Sequence, residues 1–258
     1  MKYLAILVLL LVAACPLWGD MLYFYGGDFS YYAATARDSS LANGLANETD
    51  GIVDGSPYGA AVYQNFVVSS YGINVSRLFT NNLSQLTPTS GYWEIRTGVS
   101  EGNGGTLIAS GDGAVTNTPT GRSGFGYTEY QNLVGGLSVY LPAGTYWFAV
   151  VPNCTTCFGR SFNTNTLGRN SVGTTVPNQQ YWNSSFFGAN FTNAENEGEF
   201  PRFSSGVYIF SCGEGGACSL SQATEAPEPS TLMMFGSSFV GAATAMRRFI
   251  PALFRRTL

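Results

Sequence analysis

At 258 residues the chain can build one good-sized domain or two small ones. Only 11% of residues are charged, while 32 are Gly, 15 Tyr and 18 Phe, a balance that favours an all-β exported domain over a helical cytosolic one. The formal charge of −4 conceals an acidic middle, in which 16 acids between Asp20 and Glu228 face seven arginines; without a basic cluster to neutralise phosphates, nucleic acid is excluded as a partner.

The first element is "MKYLAILVLLLVAAC", one cation followed by an apolar run that is too short for an ordinary span. This layout predicts a secretory signal peptide over residues 1–20, passed by the Sec translocon and cut by signal peptidase near residues 19–20. Val12 to Cys15 also has the form of a lipoprotein box, but the following Pro16 favours ordinary cleavage over lipidation at Cys15.

Residues 21–218 read as one antiparallel β-sandwich, jelly-roll-like, because period-2 alternation recurs and sustained 3.6-residue periodicity does not. "AVYQNFVVS" sets Val62, Gln64, Phe66 and Val68 against Tyr63, Asn65 and Val67. "GINVSRLFT" sets Ile73, Val75, Arg77 and Phe79 against Asn74, Ser76 and Leu78. "GYWEIRTGV" sets Trp93, Ile95 and Thr97 against Tyr92, Glu94 and Arg96. "GLSVYLPAGTYWFAVV" reads as a hairpin turned at Pro142-Ala143-Gly144, and "GVYIFS" as the last strand. Residues 31–59 and 161–180 read as long loops, and residues 219–226 as a linker.

The chain closes on Pro227-Glu228-Pro229-Ser230-Thr231, an uncharged run from Leu232 to Met246, and Arg247 and Arg248. As a helix that run spans about 22 Å, short of the roughly 30 Å hydrocarbon core, so it inserts only with the flanking arginines snorkelling at the cytoplasmic side. The two prolines hold the preceding segment extended and open to a protease. The order of motif, apolar run and arginines resembles the PEP-CTERM sorting signal, here over residues 227–258, found on exported proteins of Gram-negative bacteria that make extracellular polysaccharide. The resemblance implies recognition by an exosortase, a membrane-embedded cysteine transpeptidase-like protease, with the tail removed or exchanged. It departs from the commonest pattern by adding "FIPALFRRTL" after the first arginine pair. The stretches "YFYGGDF", "NGLANETDGIVDGSPYGAAVYQNF" and "GYWEIRTGVSEGNGGTLIASG" are similar to exported PEP-CTERM proteins without assigned activity.

The chemistry is bounded chiefly by what is missing. Histidine is absent, which removes Ser-His-Asp and Cys-His catalysis and imidazole ligation, and Lys2 is the sole lysine, which removes Schiff-base and P-loop chemistry from the domain. Cys154, Cys157, Cys212 and Cys218 allow three disulfide pairings, of which local pairing (Cys154 with Cys157, Cys212 with Cys218) is favoured over a four-thiolate zinc site. Asp28, Glu48, Asp50 and Asp54 fall in turns, where they either supply turn hydrogen bonds or gather oxygen ligands around Ca²⁺. Glu94 and Glu129 are the candidate carboxylates of a glycosidase, with pairing of Glu94 to Arg96 or Arg77 on a solvated face as the rival account. Tyr92, Trp93, Tyr127, Tyr130, Trp147 and Trp182 could stack sugars or fill the core. "GGDF" at Gly26 to Phe29 lacks the residues and fold of a nucleotide cyclase. Asn47, Asn74, Asn82, Asn153, Asn183 and Asn190 stand in Asn-x-Ser/Thr triplets, which are glycosylation acceptors in an exported domain. The expected protein is a non-enzymatic, exosortase-sorted protein of the cell surface or extracellular matrix that needs no cofactor. A carbohydrate-binding module, with exopolysaccharide as ligand and Ca²⁺ as the candidate ion, and a carboxylate glycosidase are the rival readings.

Overall fold

The computed structural model describes residues 20–30, 45–53, 56–85, 87–153, 161–196 and 202–210. The signal segment with Cys15, the four later cysteines, Asp54, the linker, the motif from Pro227 to Thr231 and the apolar run with Arg247 and Arg248 lie outside the described residues. Among the described residues no helix is long and apolar enough to cross a membrane.

Among the described residues there are thirteen strands: β1 Asp20–Tyr25, β2 Glu48–Val53, β3 Ser56–Val68, β4 Ile73–Ser84, β5 Ser90–Thr97, β6 Thr106–Gly124, β7 Tyr127–Val134, β8 Val139–Leu141, β9 Gly144–Pro152, β10 Ser161–Asn163, β11 Tyr181–Ser184, β12 Ala189–Asn193 and β13 Ser205–Phe210. They follow one hydrogen-bonded path, β1-β13-β4-β7-β6-β5-β9-β3-β11-β12, with β8 and β10 added to β4 and β2 added to β3. Every strand pair is antiparallel, as the alternating sequence predicts.

The path folds over at β6. Its first half pairs with β5, up to Ala114 opposite Ser90, and its second half pairs with β7, from Val115 opposite Val134. Two layers result, and the main core lies where they face each other. Phe24 of β1, Val75 and Leu78 of β4 and Val207 of β13 come from one layer; Phe66 of β3, Ile95 of β5 and Phe148 of β9 come from the other. Phe66 packs edge-on to Phe148 at 5.7 Å between ring centres.

Several expectations are corrected by this topology. Val139–Leu141 and Gly144–Pro152 are both strands, but they do not pair with each other: β8 joins β4 while β9 enters between β5 and β3. Pro142 and Ala143 therefore turn a corner between layers. Strict alternation on β4 also fails, because a bulge between Val75 and Arg77 brings both Val75 and Leu78 into the core. Residues 48–53, expected in a loop, pair with β3, and residues 181–193 form a hairpin that covers the outer side of β3. A β-strand pleat exposes two faces, so this covering hairpin gives β3 and β5 a second buried face. Tyr63, Trp147, Ala149, Tyr181 and Phe191 fill it.

Candidate functional site

That second buried face holds a carboxylate. Glu94 is fully buried and stands opposite Ala149 of β9. Because Ala149 is small, the Tyr63 phenol reaches across it and donates to Glu94 Oε1 at 2.5 Å. Tyr92 donates to Oε2 at 2.9 Å, and Arg96 donates through Nε to Oε1 at 2.8 Å and through Nη2 to Oε2 at 3.1 Å. The remaining Arg96 nitrogen donates to the Gly104 carbonyl at 3.1 Å, and the guanidinium lies 5.3 Å from the centre of the Phe191 ring. Each oxygen of Glu94 thus has two donors, one of them charged. Burial, and then the Glu94 charge, raise the Tyr63 hydroxyl well above the ordinary phenol range and push Tyr92 up to about 12. Burial pulls Arg96 down, but the Glu94 carboxylate more than offsets it, so the guanidinium stays charged.

A second carboxylate is buried on the outer face of the other layer. Glu129 of β7 receives Thr164 Oγ1 at 2.9 Å on Oε1, and Thr120 Oγ1 and Arg122 Nε at 2.5 Å each on Oε2. Arg122 also donates to Asp28 Oδ1 at 3.1 Å, which the Tyr25 hydroxyl shares at 3.0 Å, while Asn170 donates to Oδ2 at 2.7 Å. Burial is the main cause that raises Tyr25, and Asp28 adds to it. The "GGDF" stretch serves this crossing: a Cβ on Gly26 would sit 2.0 Å from the Phe203 carbonyl oxygen, so only glycine lets the loop pass and deliver Asp28.

The two glutamates, candidate partners in glycoside hydrolysis, therefore occupy opposite outer faces and do not flank a common cleft. The Glu94–Arg96 pairing is as expected from their spacing; the solvated face is not, because Phe191 and the hairpin bury it. Of the proposed oxygen ligands, Asp28 joins Arg122, Glu48 accepts the Ser161 backbone N–H at 2.7 Å, Asp50 lies on β2, and Asp54 lies outside the described residues. Among the described residues no group of three His, Cys, Asp or Glu could hold a metal ion. Asn47 and Asn82 are fully buried and donate their amide hydrogens to the Val150 carbonyl and Ser161 Oγ, so these two triplets are core features of the folded chain. Asn74 and Asn190 are exposed.

The candidate sugar-stacking rings are mostly inside. Trp147 and Trp182 are buried and donate to the Gln179 and Ala46 carbonyls, and Tyr92 is taken by Glu94. Trp93 packs on the main core, Tyr127 packs edge-on to Phe162, and Tyr130 is half-buried. Among the described residues the exposed rings are instead Tyr71, Tyr140, Phe186, Phe187 and Phe210, which alternation alone does not single out.

Beyond the described residues, positions 225–248 match the model of the PEP-CTERM protein-sorting motif. The chain carries this sorting motif. The motif implies export, a C-terminal membrane anchor before processing, and processing by an exosortase. No curated protein matches this chain. Among solved structures, 60% of it superposes on 33% of the chain comprising the cysteine protease and lectin-like domains of Cwp84, a surface layer associated protein of Clostridium difficile, at 15% identity and a TM-score of 0.37. That superposition is too loose to transfer a fold or a function.

Proposed function

We propose that the protein is a non-catalytic, jelly-roll domain delivered to the cell surface or extracellular matrix by exosortase sorting. The sorting match at residues 225–248 carries this reading, because it specifies the route. The strand orders support the jelly-roll part. In an eight-stranded jelly roll, strands one, eight, three and six form one sheet and strands two, seven, four and five the other. Counting β1, β3, β4, β5, β6, β7, β9 and β13 as those eight reproduces both orders, β1-β13-β4-β7 and β3-β9-β5-β6. The carboxylates support the non-catalytic part: each is paired with a neighbouring arginine and held by further fixed donors, and the two lie on opposite outer faces instead of flanking one cleft.

Mass spectrometry of the protein recovered from its host tests the route. The mature chain is expected to lack the apolar N-terminus and the arginine-bearing C-terminus, and replacing Pro227-Glu228-Pro229 by three alanines is expected to leave the tail attached and the protein in the membrane fraction. Identical processing of both forms would refute exosortase sorting.

A glycan-binding role is favoured by one place on the surface. Tyr140, 60% exposed, lies across Gly72, where a Cβ would sit 2.6 Å from its hydroxyl, and stands opposite the exposed Asn74. An open ring face beside an amide suits a neutral sugar. Titration with the host's polysaccharide is expected to show binding that weakens at least about tenfold, a loss of roughly 1.4 kcal/mol, in Tyr140→Ala. Equal binding by this variant removes the site.

A further inference from the structure

The turn between β5 and β6 clamps the hairpin that closes the second buried face. Glu101 Oε2 accepts the Asn193 backbone N–H at 2.7 Å, Asn190 Nδ2 donates to the Gly102 carbonyl at 3.1 Å, and the Gly104 carbonyl holds Arg96. Gly104 lies so close to Phe191 that a Cβ there would sit 2.5 Å from the ring, and a Cβ on Gly105 would sit 2.1 Å from the Thr97 carbonyl oxygen. Glycine is therefore required at both positions, and the first of them follows Asn103. An exposed Asn-Gly step is thus built into the clamp.

The geometry of that step favours a reaction within the chain. Asn103 Oδ1 accepts the Gly105 N–H at 2.9 Å, which folds the side-chain amide back over the Asn103–Gly104 peptide and brings its Cγ towards the Gly104 nitrogen. The same N–H is aimed at the oxygen on which negative charge gathers when Cγ is attacked. The Ser100 N–H donates to the Asn103 backbone carbonyl at 2.9 Å, which draws electron density from the peptide that holds the Gly104 nitrogen and makes its N–H more acidic. Among the described residues that N–H donates to no acceptor, and no Cβ on Gly104 shields it.

We propose that Asn103 is a site of self-modification, at which the Gly104 nitrogen attacks Asn103 Cγ and the turn speeds that attack by holding the two groups together. The Gly104 N–H proton passes to solvent as the new N–Cγ bond forms. The Cγ–Nδ2 bond breaks, and Nδ2 leaves as ammonia with a proton taken from water. The resulting succinimide then adds water at either of its two carbonyls. One opening gives aspartate; the other gives isoaspartate, in which the backbone runs through Cγ and gains one atom between Asn103 and Gly104. The isoaspartyl form displaces Gly104, and with it both the carbonyl that Arg96 holds and the Cα against which Phe191 packs. Conversion therefore loosens the cover over Glu94.

The full chain in mild detergent and the free peptide GVSEGNGGTL, residues 98–107, incubated side by side in mildly alkaline buffer, decide the matter. Fragmentation mass spectrometry reads the gain of one mass unit at Asn103 and distinguishes isoaspartate from aspartate. Asn103 is expected to convert at least about threefold faster in the folded chain than in the peptide, because only the chain holds the amide against its neighbour. A smaller ratio overturns the proposal, since the dipeptide alone then accounts for the rate. The isoaspartyl chain, separated from its parent by ion exchange, is expected to melt at a lower temperature than the parent. Equal melting of the two overturns the loosening of the second face.

Discussion

Arg96→Ala is expected to lower the melting temperature by on the order of 10 °C in a calorimetric scan. The cause is the carboxylate left behind. Glu94 is fully buried on the second core face, and the guanidinium, whose side chain is only 15% exposed, supplies the one positive charge among its four donors. Removing one partner of a buried pair costs about 3–5 kcal/mol, and a domain of this size loses roughly 2–4 °C per kcal/mol. Phe191 also loses the cation that lies against its ring. Replacing both partners by apolar residues of similar volume, Glu94→Leu with Arg96→Met, is expected to recover most of the loss, since no charge then remains unpaired. Arg77→Ala is the control: Arg77 pairs with Asp20, but its side chain is 47% exposed, so its loss is expected to cost about 0–1 kcal/mol. A melting temperature for Arg96→Ala no lower than that of Arg77→Ala would mean that Glu94 finds solvent, and that the second face is not closed.

The sequence shows why part of this was legible. Glu94 and Arg96 are two residues apart on a strand, so they must share a face, and the pairing follows from the pleat alone. Their burial does not follow. It depends on the β11–β12 hairpin, whose residues "YWNSSFFGANFTN" carry neither clean alternation nor helical spacing. The Tyr63 contact is also hidden, because it needs β9 to lie between β3 and β5 and needs Ala149 to be the residue crossed. The same limit explains Pro142. Two β-prone runs joined by a turn read as a hairpin, yet each run can pair elsewhere, and here the partners are β4 on one side and β5 and β3 on the other. The longest strand, β6, was invisible for the opposite reason. Its Thr, Asn, Ser, Gly and Pro residues meet solvent along most of its length, so no apolar period marks it. Glu129 and Arg122 meet only through the β6–β7 register, seven residues apart across a turn. Local pattern thus reveals strands with a buried face, while partners and second faces are set by topology.

A steep loss of stability above pH 10 is the second large effect expected. Tyr63, Tyr92 and Tyr25 each have a hydroxyl raised by burial, with a carboxylate adding to the rise, so the folded chain keeps these protons to higher pH than the unfolded chain does. Unfolded phenols ionise near pH 10. Above that value the unfolded state binds fewer protons than the folded one, and the free energy of unfolding falls as pH rises. The stabilisation is complete below pH 10 and drains away as pH climbs towards about 12 for Tyr92 and further for Tyr63. The chain has no histidine and one lysine, so these phenols dominate the alkaline limb. The melting temperature is expected to fall by on the order of 10 °C between pH 9 and pH 11.5, with Tyr63 tyrosinate absorbance rising only as the chain unfolds. Tyr63→Phe is expected to flatten that fall while starting lower at neutral pH, because Glu94 loses a donor when the phenol goes. A melting temperature that holds level through pH 11 would show that these phenols ionise as readily in the folded chain as in water, and that the closed contact between Tyr63 and Glu94 does not exist in solution.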